Sequence, residues 1–125
     1  MRSSLMNRCI KLSLEALPHH PFPEKHFSFI CSRREIISWG MNGVKTSPLA
    51  LKLGYPFPLV HSEIASISKY PFHPETLSDK VILNIRLNNR GELRNSKPCS
   101  YCEPVLISFG FSKVYYSTNE GVIQL

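Results

Sequence analysis

Apolar residues recur over the first stretch of the chain at the spacing of a helix face. Leu5, Cys9, Leu12 and Ala16 lie about one turn apart, and Met6, Ile10 and Leu17 widen the stripe. The pattern predicts an amphipathic helix within Met1–Leu17. Pro18, Pro21 and Pro23 end it, because proline lacks the amide hydrogen that a helix interior needs, and they make an extended surface connector that carries His19 and His20. From His26 the period changes to two: Phe27, Phe29 and Cys31 share one face of a strand over His26–Cys31. Ser32-Arg33-Arg34 reads as a hairpin turn, and Glu35 to Gly40 as a second strand. Met41-Asn42-Gly43 is turn chemistry, since Asn and Gly tolerate positive φ. Val44 to Pro58 reads as loop, broken by Pro48, Gly54, Pro56 and Pro58.

A second helix is expected to begin near Val60 or His61, to turn Ile64, Ala65 and Ile67 inward, and to stop at Pro71. Val81, Leu83, Ile85 and Leu87 alternate with Ile82, Asn84, Arg86 and Asn88, the period of a strand. Asn88-Asn89-Arg90-Gly91 is a strong turn signal, with Glu92 to Arg94 returning beside that strand. A third helix is expected from Pro98 to about Phe109, capped by Gly110, and a further strand over Lys113–Ser117. The tail from Gly121 to Leu125 is too short to place. Strands joined by helices predict right-handed crossovers and an α/β/α three-layer sandwich around a mixed sheet of about four to five strands. Residues 1–125 are expected to form a single domain, with helix and connector over 1–25 and the core over 26–118.

Composition adds to this picture in three ways. The 125 residues, 42% apolar and 19% charged, suit one globular domain and exclude a wholly disordered chain. Fifteen Lys and Arg against nine Asp and Glu give a charge of +6, which favours an anionic partner such as a nucleotide or nucleic acid. No apolar run approaches the roughly 20 residues that span a bilayer, so no membrane partner is expected. The four cysteines come without a secretory signal, and an intracellular, cytoplasmic setting is the working expectation. The basic, serine-containing start also fits a mitochondrial transit peptide, but its helical stripe favours a first helix of the domain.

Two short motifs carry chemistry. His61-Ser62-Glu63 falls at the start of the second predicted helix, and Pro98-Cys99-Ser100-Tyr101-Cys102 at the start of the third. Two thiolates three residues apart at a helix N-terminus can converge on one ion, and the positive end of the helix favours the thiolate form. A ligand set of His61, Cys99 and Cys102 leaves one of zinc's four positions open, where water is acidified towards a pKa of about 7. Glu63, two residues beyond the histidine, can exchange a proton with that water without binding the metal. H-x-E followed by P-C-x-x-C is the signature of zinc-dependent nucleobase deaminases, and all five defined positions match.

On these residues the sequence resembles the cytidine deaminase-like superfamily, from about His26 to Thr118. That superfamily includes cytidine and deoxycytidylate deaminases, tRNA adenosine deaminases and polynucleotide cytidine deaminases. The resemblance implies a sheet with two adjacent helices holding Zn2+ at their N-termini. It makes His61, Cys99 and Cys102 the metal ligands and Glu63 the catalytic proton shuttle. It further implies that Asn42, in the Gly-x-Asn-Gly turn, contacts the sugar, that backbone at Ser62 and Cys99 holds the base edge, and that Tyr101 flanks the substrate. Three features depart from the pattern: Ser62 stands where many members have alanine, Leu87–Lys97 makes a longer hairpin, and any fifth strand after Tyr116 must be short.

The expected activity is therefore deamination of cytosine to uracil in a pyrimidine nucleoside or nucleotide, (deoxy)cytidine or (deoxy)cytidylate. Arg86, Arg90, Arg94 and Lys97 could form a phosphate-contacting rim for a nucleotide or a single strand, or be no more than solvated hairpin charges; cytosine in single-stranded DNA or RNA is the second expectation. The third is a non-enzymatic zinc module that binds nucleic acid or a partner; a closed metal site of that kind would take its fourth ligand from Cys31, Cys9 or His73. Asn42 could equally do no more than stabilise its turn, and Trp39 is expected in the core. A homo-oligomer is implied by resemblance alone.

Overall fold

The structure, a computed structural model, describes residues 1–43 and 60–125. The loop expected over Val44–Pro58 lies outside the described residues. Helix α1 spans Ser3–Ala16 and gives way to a short 3-10 turn at Leu17–His19, where Pro18 blocks further α-helix. Strands β1 (Lys25–Cys31) and β2 (Ile36–Met41) follow, then helix α2 (Ser62–Ser68) and a 3-10 segment over Pro74–Asp79. The chain continues through β3 (Val81–Leu87), β4 (Leu93–Arg94), α3 (Cys102–Phe109), β5 (Lys113–Thr118) and β6 (Gly121–Gln124).

The sheet is mixed, in the order β2-β1-β3-β5-β6, with β4 also paired to β3. Only β3 and β5 run parallel, which requires the crossover through α3. β5 accompanies β3 as far as Asn84, and β4 takes over at Arg86 and Leu87. Ser117 stitches this corner: its buried hydroxyl donates to the Arg94 carbonyl at 2.7 Å and accepts the Arg86 amide at 3.0 Å.

Apolar side chains fall into two buried clusters, one on each face. Ile30, Ile64, Ile67, Leu77, Ile82 and Leu106 form the cluster beneath α2 and α3. Leu5, Cys9, Phe27, Phe29, Leu83, Ile85 and Leu87 form the one beneath α1. β1 and β3 supply both clusters, so consecutive apolar residues appear in each, Phe29-Ile30-Cys31 and Val81-Ile82-Leu83, as in strands covered on both faces. Trp39 stacks on Phe29 at a centroid distance of 5.6 Å and belongs to this packing, as expected.

Several expectations are refined. Among the described residues the sheet has six strands, because the tail forms β6 by pairing Gly121–Gln124 with β5. No non-glycine residue has positive φ among the described residues, and Gly43 does not either; Gly43 pairs with Val60 in an isolated bridge, so this is no tight turn. Helix α3 begins at Cys102, leaving Cys99 in the turn before it. Pro104 fits in that first turn, where its missing amide hydrogen would have had no partner. His20 is 5% exposed and does not sit on a surface loop.

Candidate functional site

Helix α2 enters beside the start of α3, and the residues at these two starts converge. His61 is the N-cap of α2, extended at φ −77° and ψ 156°, with its carbonyl accepting the Ala65 amide. Its Nδ1 stands 3.3 Å from Cys102 Sγ and 3.6 Å from Cys99 Sγ. The three ligand atoms lie within 4.8 Å of one another. Cys99 Sγ also accepts the Cys102 amide at 3.4 Å, so the first turn of α3 holds the sulfur in place.

The donor set fits zinc by distance. Zn–N near 2.05 Å and Zn–S near 2.3 Å at the tetrahedral angle separate nitrogen from sulfur by about 3.6 Å. The two observed separations of 3.3 and 3.6 Å lie within about 0.3 Å of that edge. Cys9 and Cys31 sit in the other cluster, Sγ to Sγ 4.0 Å, so they do not close this group. His73 caps the 3-10 segment at Pro74–Asp79, its Nδ1 accepting the Glu75 amide.

Glu63, in the first turn of α2, is 7% exposed. Burial pushes its carboxyl group above the usual range, opposed by its own backbone amide and by hydrogen bonds from Ser62 and Cys102. Burial also raises the Cys102 thiol, reinforced by the Glu63 charge, and lowers the His61 imidazolium. Each shift favours the neutral form, as burial does for an ionisable group.

A cavity of about 390 Å³ opens over this group. His61, Ser62, Glu63 and Cys99 line one side, and Asn42, His26, Arg86 and Lys97 another. Burial, with Arg86 next in effect, holds the His26 imidazole at about 4. Arg86 and Lys97 thus reach the cavity, whereas Arg90 and Arg94 are not among its lining residues. Arg94 leans on Glu92 at 3.6 Å.

Asn42 reaches the cavity with its amide engaged. Its Oδ1 accepts the His26 amide at 2.9 Å and lies 2.7 Å from His20 Nε2, and its Nδ2 donates to the Glu24 carbonyl at 2.9 Å. His20 Nδ1 in turn accepts the Phe22 amide at 3.2 Å, so the ring carries its proton on Nε2. Tyr101, the N-cap of α3, is 54% exposed and is not among the lining residues. Ser62 turns its hydroxyl inward: it donates to Glu63 Oε1 at 3.2 Å and meets Ser28 Oγ at 2.7 Å. Sequence reasoning missed Ser28, Asn84, His20 and His26. The available signal was a polar residue flanked on both sides by apolar ones within a strand, Ser28 between phenylalanines and Asn84 between Leu83 and Ile85.

Among the described residues, no helix is long and apolar enough to cross a membrane. No protein-family model matches the chain, and no curated protein matches it. Solved structures do. The chain is similar to the dCMP deaminase from the cyanophage S-TIM5 in apo form, with a TM-score of 0.64 and 17% identity over 93% of this chain and 84% of that one. The same enzyme in complex with dCMP and dUMP gives 0.61 and 18% over 93% and 82%. The cytidine deaminase from Mycobacterium leprae gives 0.56 and 14% over 95% and 92%. At these identities the likeness is one of fold.

Proposed function

We propose that this chain, which has the cytidine deaminase-like α/β fold, is a zinc-dependent hydrolase that converts a cytosine nucleotide to the uracil nucleotide and ammonia. The observation that carries the reading is the meeting of His61 Nδ1 with two sulfurs at 3.3 and 3.6 Å, next to a buried carboxyl group. His61, Cys99 and Cys102 would hold the ion. Bound zinc supplies the Lewis acidity that makes water a competent nucleophile near neutral pH. Glu63 is the base that takes a proton from water and gives it to ring N3, and it then carries the proton of the hydroxyl added at C4 to the departing amino group as ammonia leaves and the carbonyl forms. Its burial supports this role, since a carboxyl group raised towards neutrality both accepts and returns a proton readily.

Arg86 and Lys97 support a nucleotide over a bare nucleoside, because two cations lining the cavity suit a phosphate. Asn42 is the proposed sugar contact, and backbone at Ser62 and Cys99 the contact to the base edge. Tyr101, exposed before α3 and off the cavity wall, would flank only a substrate that extends beyond the cavity. A second reading, cytosine in single-stranded DNA or RNA, is favoured by the net charge of +6 and by exposed Arg90 on the hairpin that leads to the cavity.

The test is metal analysis of purified protein, followed by a uracil assay on cytidine, deoxycytidylate and a cytosine-containing oligonucleotide. We expect about one zinc per chain and deoxycytidylate as the best substrate. Glu63→Gln should keep the zinc and release no ammonia. Reaction of the oligonucleotide alone would establish the second reading, and turnover indifferent to Glu63→Gln would overturn the mechanism.

A further inference from the structure

Beneath Glu63 runs a chain of buried polar side chains. Ser28 and Asn84 are cross-strand partners in β1 and β3, and Ser28 faces Gly40 in β2. Ser28 Oγ lies 2.7 Å from Asn84 Oδ1 and 2.7 Å from Ser62 Oγ, and Ser62 Oγ lies 3.2 Å from Glu63 Oε1. Ser28, Ser62 and Asn84 are 0%, 1% and 1% exposed. Asn84 Nδ2 is buried with no hydrogen-bond partner among the described residues.

An apolar filling of this site would leave no polar group unsatisfied, so the unpartnered amide of Asn84 calls for a reason. Proton counting supplies one. Three oxygen–oxygen contacts link four side chains, yet Ser28 and Ser62 contribute only one proton each. The third proton comes either from the Glu63 carboxyl group or from the Asn84 amide turned end for end. Either way the chain is continuous, and it ends on the same carboxyl oxygen.

We infer that Ser28 and Asn84 are positioning residues for Glu63, acting through the Ser62 hydroxyl, which they hold against Oε1. The inference rests on the proposed role of Glu63 as proton shuttle. It gives Ser62 a task that alanine could not perform.

The test has two readouts. Steady-state deamination of deoxycytidylate is measured for wild type, Ser28→Ala, Ser62→Ala and the double variant. Each single change should lower kcat by about tenfold with KM and zinc content unchanged, and the double variant should be no slower than Ser62→Ala. Losses that multiply, a kcat left intact, or a change confined to KM would overturn the inference. Separately, crystal structures of zinc-free wild type and Ser28→Ala should show the Glu63 carboxyl group fixed in the first and displaced in the second. An unchanged Glu63 conformation overturns the inference even if no substrate is found. A wild type that deaminates nothing refutes the proposed function, and the crystallographic comparison still decides the role of Ser28. Should Ser28→Ala not fold, Asn84→Leu, similar in volume, carries both readouts.

Discussion

Gly40 allows α2 to lie directly on the sheet, and an alanine there should dislodge the helix. A Cβ at Gly40 would stand 2.7 Å from the Ser66 amide nitrogen and 2.8 Å from both the carbonyl carbon and Cβ of Ala65. Ordinary contact begins near 3.4 Å, so α2 must retreat by roughly 0.7 Å, and no rotamer can relieve a clash with helix backbone. Overpacking of this kind costs about 1–3 kcal/mol. Removing glycine from a strand returns about 0.5–1 kcal/mol of that. The same retreat would lengthen the 2.7 Å Ser28–Ser62 contact beyond a hydrogen bond, costing about 1 kcal/mol more. The net loss is about 2 kcal/mol, a fall in Tm of roughly 6–10 °C for a chain of this size. Urea unfolding measures it, with Gly43→Ala as control, since a Cβ there meets only Val60 Cγ1 at an ordinary 3.5 Å. Because α2 carries His61 and Glu63, zinc affinity and kcat should fall with it. If Gly40→Ala unfolds within 0.5 kcal/mol of wild type, a threshold set by ordinary surface changes, and keeps its kcat, the account of α2 packing is wrong.

Three further expectations follow from the site and its surroundings. Arg86→Gln should raise KM for deoxycytidylate at least tenfold while leaving cytidine turnover nearly unchanged; an equal loss on both substrates would remove Arg86 from phosphate binding. His26, lowered from 6.5 to about 4 by burial and by Arg86, binds fewer protons in the folded than in the unfolded chain between those values. Its contribution is complete above pH 6.5 and is lost as pH falls towards 4, an effect of about 2–3 kcal/mol. Urea titrations at both ends of this window should show a smaller loss in His26→Gln than in wild type, and equal losses would contradict the assignment. Asn42→Ala removes the bonds to the His26 amide and the Glu24 carbonyl and leaves His20 without its acceptor, which should cost about 2–3 kcal/mol. Hydrogen exchange of the His26 amide would quicken in that variant, and an unaltered rate would show that Asn42 does not hold the connector.

The parts of the fold set by local pattern were legible before any coordinates. Alternation marked β3, the prolines ended α1, and Gly110, at φ 74°, caps α3 as expected. The ligand set was legible because C-x-x-C and H-x-E place donors by spacing along the chain. What escaped was decided by distant partners. The period-two reading of β3 could not show that both of its faces are covered, so Asn84 gave no hint of Ser28, 56 residues away. His20 looked exposed among prolines because its acceptor, Asn42, lies across the β1–β2 hairpin. β6 was missed because a short tail becomes a strand only when an open edge, here that of β5, is waiting for it. The onset of α3 was placed too early because a cysteine sulfur does the capping ahead of the helix, and propensity does not register such a cap.

The two apolar clusters divide the labour of the molecule. The cavity wall at the start of α2 rests on the face under α2 and α3, while α1 seals the reverse with Leu5 and Cys9. Repacking beneath α1 reaches the reacting groups through the strand backbones and through Phe27, whose ring meets His20, the partner of Asn42. Apart from that ring, mutational drift can rewrite the rear surface chiefly at the expense of stability, which leaves it the side of this chain where a lineage is freest to experiment.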